Sequence, residues 1–448
     1  MLHTPINVEL PKYSRTQSRG LPTQATEWPL KNKEFKNPQT IQKVIKRCAA
    51  HSPWQWPLQP VYFIADPHAD ADAFLASLMA SGGVRQVGPS PHHIELTDEG
   101  KAGTFIIGGD CLDKGPSNLK LLDSIRNLMG IGAKVKLLAG NHDVRLLMGI
   151  RCLQQQGNTA TEHMFVRMGP KIVPLLKEVY ETYLAHTNLD HIPSKDECRR
   201  YLYPRQSWFN EFPKIAAPHI PEKGIARELK RMQKKVSGFE EACEKAGLSL
   251  RHVYATAEKC RQLFLEPNGH YAWFFNRMQL THREGSFLFV HAGLDDTVAS
   301  QLADKGVDNL NACYNQQIRQ DLFGFYYGPL ANTMRTKYRD VDLPLSDKGV
   351  KAAASEGVHA VVHGHRNRTQ GQCIALRQNM IHIEGDVTLD RNSRRKEGLP
   401  GFGSGVTIIR PEGCVIGISN DYPYAKVFEP QRYLQQPYQP PYGKTGHS

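Results

Sequence analysis

Five short blocks of the sequence are rich in carboxylate, amide and imidazole groups. They are Asp66-Pro67-His68, Gly109-Asp110-Cys111-Leu112-Asp113-Lys114, Gly140-Asn141-His142-Asp143, His291-Ala292-Gly293 and His363-Gly364-His365. Oxygen and imidazole donors without thiolate suit Mn²⁺, Fe or Zn²⁺ better than Cu(I) or a cysteine-held structural zinc. One Asp carries two oxygens, so it can bridge two cations and relieve their mutual repulsion. Two cations about 3.5–4 Å apart can clamp a phosphoryl group and supply a hydroxide for in-line attack. Taken singly, each block also has an ordinary reading as a turn, a helix cap or a satisfied core histidine. In this order and number, shared metal chemistry explains them better than independent coincidence.

Such a site needs elements that aim all five blocks at one place. Short apolar runs bounded by turn residues lead into them, at 61–66, 104–110, 135–141, 286–293 and 358–365. These runs suit buried strands. Further strands are expected at 379–386 and in the runs GVTIIR and CVIGIS. Helical stretches at 70–80 and 117–129 separate the early ones. Alternation of strand and helix predicts an α/β layered fold. In such sheets the carboxyl ends of the strands line the ligand crevice, which is where the blocks stand.

The chain of 448 residues divides accordingly. Residues 1–60 read as a surface-hugging N-terminal arm with one short helix, 61–424 as the catalytic domain, and 425–448 as a Pro/Tyr-rich extended tail. A helical insertion at about 150–285 interrupts the domain. The balance of 56 Lys+Arg against 44 Asp+Glu gives +12, which allows an acidic partner without choosing one. Nine scattered cysteines without a CxxC pair argue against a disulfide scaffold and for reduced thiols, hence a cytoplasmic setting. No run of about eighteen apolar residues is present, so no membrane partner is expected. The basic insertion lacks an aromatic stacking module, which disfavours nucleic acid.

The motif set DxH, GDxxDxG, GNH[DE], HAG and GH, each after a strand, resembles the calcineurin-like metallophosphoesterases. The segments GDCLDKGPSNLKLLDSI, VHAGL and AVVHGH look most like the phosphoprotein phosphatase branch, with its bacterial Ser/Thr phosphatases and symmetrical diadenosine tetraphosphatases. The likeness covers roughly 61–150 and 285–420. It implies a sandwich of two mixed sheets flanked by helices, with the dimetal cleft at the strand ends. It also implies two divalent ions, manganese with iron or zinc as alternatives. Asp66 and His68 would hold the first, Asp110 would bridge, and Asn141, His291 and His365 would hold the second. His142 would be the general acid, oriented by Asp113 and kept protonated by that carboxylate near neutral pH.

Some positions depart from the pattern. Lys114 stands where the family has a phosphate-gripping arginine, and an ammonium offers charge without a bidentate fork. Arg335 and Arg339 are both candidates for the second phosphate-binding arginine. His363 reads as structural, Asn367 replaces a further histidine of many relatives, and His382 is a conceivable addition. The implied activity is direct hydroxide attack on a phosphoester, most simply a phosphomonoesterase of Ser/Thr protein phosphatase type. The alternatives, in order, are a dinucleoside polyphosphate hydrolase, a nuclease or phosphodiesterase, and an inactive binding module. The expected partner is a phosphorylated substrate, protein or small molecule.

Overall fold

In the computed structural model, residues 6–13, 20–30, 38–153, 155 and 157–435 are described. Fifteen strands are found among them: β1 (Ala25–Glu27), β2 (Val61–Ile64), β3 (Val84–Gln86), β4 (Ile94–Leu96), β5 (Thr104–Ile107), β6 (Lys134–Leu138), β7 (Met278–Gln279), β8 (Thr281–Glu284), β9 (Phe287–Val290), β10 (Ala360–His363), β11 (Cys373–Arg377), β12 (Met380–Glu384), β13 (Gly405–Arg410), β14 (Cys414–Ser419) and β15 (Ala425–Phe428). Eight form one sheet in the order β1-β15-β14-β13-β2-β5-β6-β7, and five form a second in the order β11-β12-β10-β9-β8. A small β3–β4 hairpin stands apart.

The two sheets face each other through alternate side chains. Val61 and Phe63 of β2, Ile106 of β5 and Leu138 of β6 meet Phe287 and Phe289 of β9, Val362 of β10 and Ile383 of β12 in one buried cluster. The intervening residues Tyr62, Ile64, Phe105 and Ile107 face the outer helices. This period of two explains why the strands read as continuous apolar runs: both faces are covered. Ser117 caps the helix Asn118–Gly130 and Asp70 caps the helix Ala71–Ala80, each accepting a hydrogen bond from a first-turn amide. The mixed two-sheet α/β architecture is the one expected.

Both ends of the described chain depart from the expectation. Far from only skirting the surface, the N-terminal segment supplies β1, which pairs in parallel with β15 in the register Ala25↔Ala425. Trp28, Ile41, Val44 and Ile45 from the same segment are buried in the cluster between the sheets. The presumed tail likewise begins as β15, wholly buried, followed by the helix Pro430–Gln435. Strands of three and four residues beside proline and polar residues carry too little periodicity to be read locally. Residues 436–448, the remainder of the expected tail, lie outside the described residues.

Between Asn141 and β8 the chain is mostly helical, and its longest element there is the helix Glu222–Lys245. No helix among the described residues is long and apolar enough to cross a membrane. All nine cysteines are free thiols.

Candidate dimetal site

The donor blocks sit on turns with unusual backbone. Asp66, His68, Ala69, Asp110, Asp113, Lys114 and His365 all have positive φ, seven of the eleven such non-glycine residues among those described. Left-handed conformations cost roughly 1–2 kcal/mol each for L-residues, so clustering them at three strand ends marks a site where geometry takes precedence over local ease. The loops lock one another. The His68 amide donates to the Asp110 carbonyl at 3.0 Å, the Gly364 amide to the His291 carbonyl at 2.9 Å, and the Leu112 amide to Asp143 Oδ1 at 3.0 Å. Two glycines allow the approach: a Cβ on Gly364 would lie 1.8 Å from Asp66 Oδ2, and one on Gly140 would lie 1.9 Å from the Asp110 amide nitrogen.

Two sets of donors result, sharing Asp110. Asp66, His68 and Asp110 present ligand atoms within 4.8 Å of one another, and so do Asp110, His291 and His365. Asp110 Oδ2 lies 3.8 Å from His68 Nε2, while Oδ1 lies 3.5 Å from His291 Nε2. Asn141 joins the second set, its Oδ1 3.3 Å from His291 Nε2. His291 Nδ1 is 2.7 Å from the Gly108 carbonyl, a contact that fixes the ring and leaves Nε2 for the site.

Several observations fit bound cations. The buried Nε2 of His365 has no hydrogen-bond partner. The Asn141 oxygen faces acceptors, His365 Nδ1 at 3.0 Å and the Met334 carbonyl at 3.2 Å, as an oxygen aimed at a cation would. The Lys114 ammonium has drawn to 2.6 Å from His68 Nε2, so positive charge already favours the first set. Burial, then the neighbouring Asp386 carboxylate, pushes the Asp66 carboxyl well above its usual range. Burial would raise Asp110 too, but the imidazoles of His291 and His142 hold it well below. Burial lowers His291, yet the carboxylates of Asp110 and Asp66 outweigh it and carry the ring up to about 10. Burial and Lys114 bring His68 down to about 3, so its imidazole is neutral, as a ligand must be.

His142 begins the helix Asn141–Cys152, and its amide donates to Asp110 Oδ1 at 2.8 Å. Its Nδ1 is 2.8 Å from Asp113 Oδ2, and its Nε2 is 3.8 Å from Asp110 Oδ2. The pairing expected from sequence is present. Burial is the largest influence on both groups, driving His142 well below the histidine range and Asp113 up to about 7. The Asp113 carboxylate therefore does not by itself keep the imidazole charged at neutral pH.

Asp66, Asp110, Asn141, His142 and His365 open into a cleft of about 1100 Å³ whose walls include Lys114, Arg335 and Arg339. Arg339 is committed to Asp342, with Nη2 3.1 Å from Oδ1, whereas the Arg335 guanidinium rests over the Tyr326 ring at 5.0 Å. His363 and His382 pair with each other at 3.1 Å and do not line the cleft. Arg145, Lys171 and Lys337 do line it, and sequence reasoning passed over them. Arg145 had a signal: it lies four residues after Asn141, on the same helical face. Asp386, two residues beyond the end of β12, was passed over too.

The calcineurin-like phosphoesterase family pattern matches residues 59–366. No curated protein is matched by the sequence. Among solved structures, the cold-active protein-tyrosine phosphatase of the psychrophile Shewanella sp. is 14% identical, with 83% of this chain and 81% of that one covered and a TM-score of 0.40. A Saccharomyces cerevisiae protein serine/threonine phosphatase with similarity to human phosphatase PP5 is 12% identical, with 87% and 89% covered and a TM-score of 0.35. Since the family pattern spans most of the chain, including all five donor blocks, the protein belongs to the calcineurin-like phosphoesterases.

Proposed function

We propose that this metal-dependent phosphatase hydrolyses phosphomonoesters in the manner of the Ser/Thr protein phosphatases, using two divalent ions, manganese foremost. Asp110 is the observation that carries the reading: its two carboxylate oxygens address two separate donor sets. Asp66 and His68 complete the first set, and Asn141, His291 and His365 the second. When bound, the ions supply electrophilic polarisation of the phosphoryl group and activation of the attacking water.

The chain's own residues do the rest. Arg145, Lys171, Arg335 and Lys337 offer positive charge to the non-bridging oxygens, the electrostatic help that phosphoryl transfer needs. Arg335 is the better placed of the two arginines, because Arg339 is held by Asp342. His142 Nε2 faces the cleft and is positioned to protonate the departing oxygen. To do so the neutral ring must first take up a second proton at Nε2 from solvent or from a phosphate monoanion as it binds, and the Asp113 charge at Nδ1 stabilises the protonated ring. Lys114, on the cleft wall with its ammonium drawn against His68, is placed less to grip phosphate than to yield its position to a cation.

A second reading, hydrolysis of a dinucleoside polyphosphate, draws support from the size and cationic lining of the cleft. Manganese-loaded protein assayed on a phosphoserine peptide, on diadenosine tetraphosphate and on bis-(p-nitrophenyl) phosphate separates these readings. Turnover of the dinucleotide alone would refute the first, and preference for the diester would move the assignment to a phosphodiesterase.

A further inference from the structure

The cleft is larger than one phosphate group requires. Its volume of about 1100 Å³ is at the upper end of pockets that enclose whole small molecules. Twelve lysines and arginines line it against six carboxylates. Only part of that charge stands near the metal donors. Five of the twelve, Lys223, Arg227, Arg231, Lys234 and Lys235, come from the insertion through the helix Glu222–Lys245.

That helix is oriented by its apolar and anchoring residues. Ile225, Met232, Phe239 and Cys243 are buried on one face. Glu228, also buried, pairs with Arg167, its Oε1 2.5 Å from Nε, and accepts a hydrogen bond from the Tyr327 hydroxyl at 3.3 Å. Lys235 donates to the Arg167 carbonyl. With the helix held in this way, Arg227, Arg231 and Lys234 follow one another at helical spacing and turn into the cleft. The span from Arg227 to Lys234 is about 10 Å along the axis.

A run of charge on a helix is ordinarily a solvated face, and two observations distinguish this one. None of Arg227, Arg231 and Lys234 has a carboxylate within 4 Å among the described residues, whereas Lys245, near the far end of the same helix, pairs with Glu241 at 2.6 Å. Like charges are also crowded there: burial and then the adjacent Arg231 and Arg339 lower the Arg227 guanidinium from its ordinary range. Asp342 and Glu228 offset this only in part, and cations crowded on one helix face without an ion pair are relieved by an anion.

We propose that Arg227, Arg231 and Lys234 form a second anion subsite in the cleft they share with the dimetal centre, which holds the non-scissile phosphates of a small oligophosphate substrate. The proposal rests on the dimetal reading above and narrows its substrate class. An open cleft with a cationic stripe along one wall suits a compact molecule in which one phosphate is cut and others lie further along.

The test uses the full-length protein with manganese in excess and compares p-nitrophenyl phosphate, which has one phosphate, with inorganic tripolyphosphate. In the doubly substituted Arg227→Gln, Arg231→Gln protein, KM for tripolyphosphate should rise roughly tenfold or more as two charge-assisted contacts are lost. Turnover of p-nitrophenyl phosphate should stay within about twofold, and the Arg227→Lys, Arg231→Lys protein should recover most of the tripolyphosphate affinity. Equal losses on both substrates, or no change on either, would overturn the subsite. A loss confined to an acidic phosphopeptide would also overturn it, by assigning the stripe to a protein substrate. Calorimetric titration of tripolyphosphate keeps the two ideas separate. If the wild-type protein turns over neither substrate, the dimetal reading fails, while tighter binding to wild type than to the double variant still upholds the subsite and equal binding refutes it.

Discussion

Asp113→Asn should slow the enzyme in a manner that depends on the leaving group. The substitution keeps the shape of the side chain and leaves an oxygen able to accept from His142 Nδ1, where Asp113 Oδ2 now lies at 2.8 Å. What it removes is the negative charge that stabilises the ring while it holds a second proton. A hydrogen bond to a charged group contributes about 1.5–3 kcal/mol, which converts to roughly 10- to 150-fold in kcat. That loss applies only where proton donation is part of the rate-limiting transition state. A phosphoserine peptide, which departs as an alkoxide, should show the full decrease. A p-nitrophenyl ester, whose leaving group is stable as an anion, should lose about twofold or less. KM should change little for either, because Asp113 lies behind His142. Manganese content, measured on the same samples, should match the wild type, since Asp113 belongs to neither donor set. An equal decrease on both substrates, or a fall in bound metal, would refute the assignment of His142 as proton donor and Asp113 as its positioning partner.

Other perturbations test other parts of the structure. Asp110→Ala should abolish binding of both ions together, because this carboxylate serves both donor sets; retention of one full equivalent by elemental analysis would contradict a shared ligand. Gly364→Ala would set a methyl group 1.8 Å from Asp66 Oδ2, so manganese titration should show affinity weakened by about tenfold or more, with a stability loss of about 1–3 kcal/mol. Unchanged affinity would mean that the loop yields freely. Glu384→Gln should destabilise the fold by about 3–5 kcal/mol in urea, because buried Glu384 is the common partner of Arg366, Arg368 and Arg377. Burial alone would raise this carboxyl, but His363 and the arginines bring it down to about 2. Its contribution is therefore complete above its unfolded pKa of about 4.3 and is lost as pH falls toward 2. The stability difference between wild type and variant should shrink over that interval, and a constant difference would show that the charge is not responsible.

The parts of this protein that were legible in advance share a physical reason. Metal chemistry admits few residue types, and strand ends are where such residues can converge, so Asp66, Asp110, Asn141, His291 and His365 stood out against their local sequence. The strands before them were equally plain, since being covered on both faces removes polar residues from them. Long-range pairing left no such trace: nothing in the three residues Ala25–Glu27 points to partners at 425–427. Cationic residues were legible as composition but not as direction. The charged stretch containing Arg227 and Arg231 could be recognised as a helix, yet only its packing through Glu228 and Met232 decides which side meets the cleft. Burial, which a sequence does not display, likewise works against protonation of His142.

The central position of β2 has a consequence for biosynthesis. On one side it pairs with β5, in the register Phe63↔Ile106, and on the other with β13, through Phe63↔Thr407. The first neighbour leaves the ribosome soon after β2 itself, but the second follows about 340 residues later. At translation rates of about 5–20 residues per second, that interval is roughly 17–70 s. Throughout it, the strand leading into Asp66 and His68 has an open hydrogen-bonding edge. Nascent chains stalled before residue 405 should consequently be protease-sensitive and bind manganese poorly, even though every proposed metal ligand has already been made.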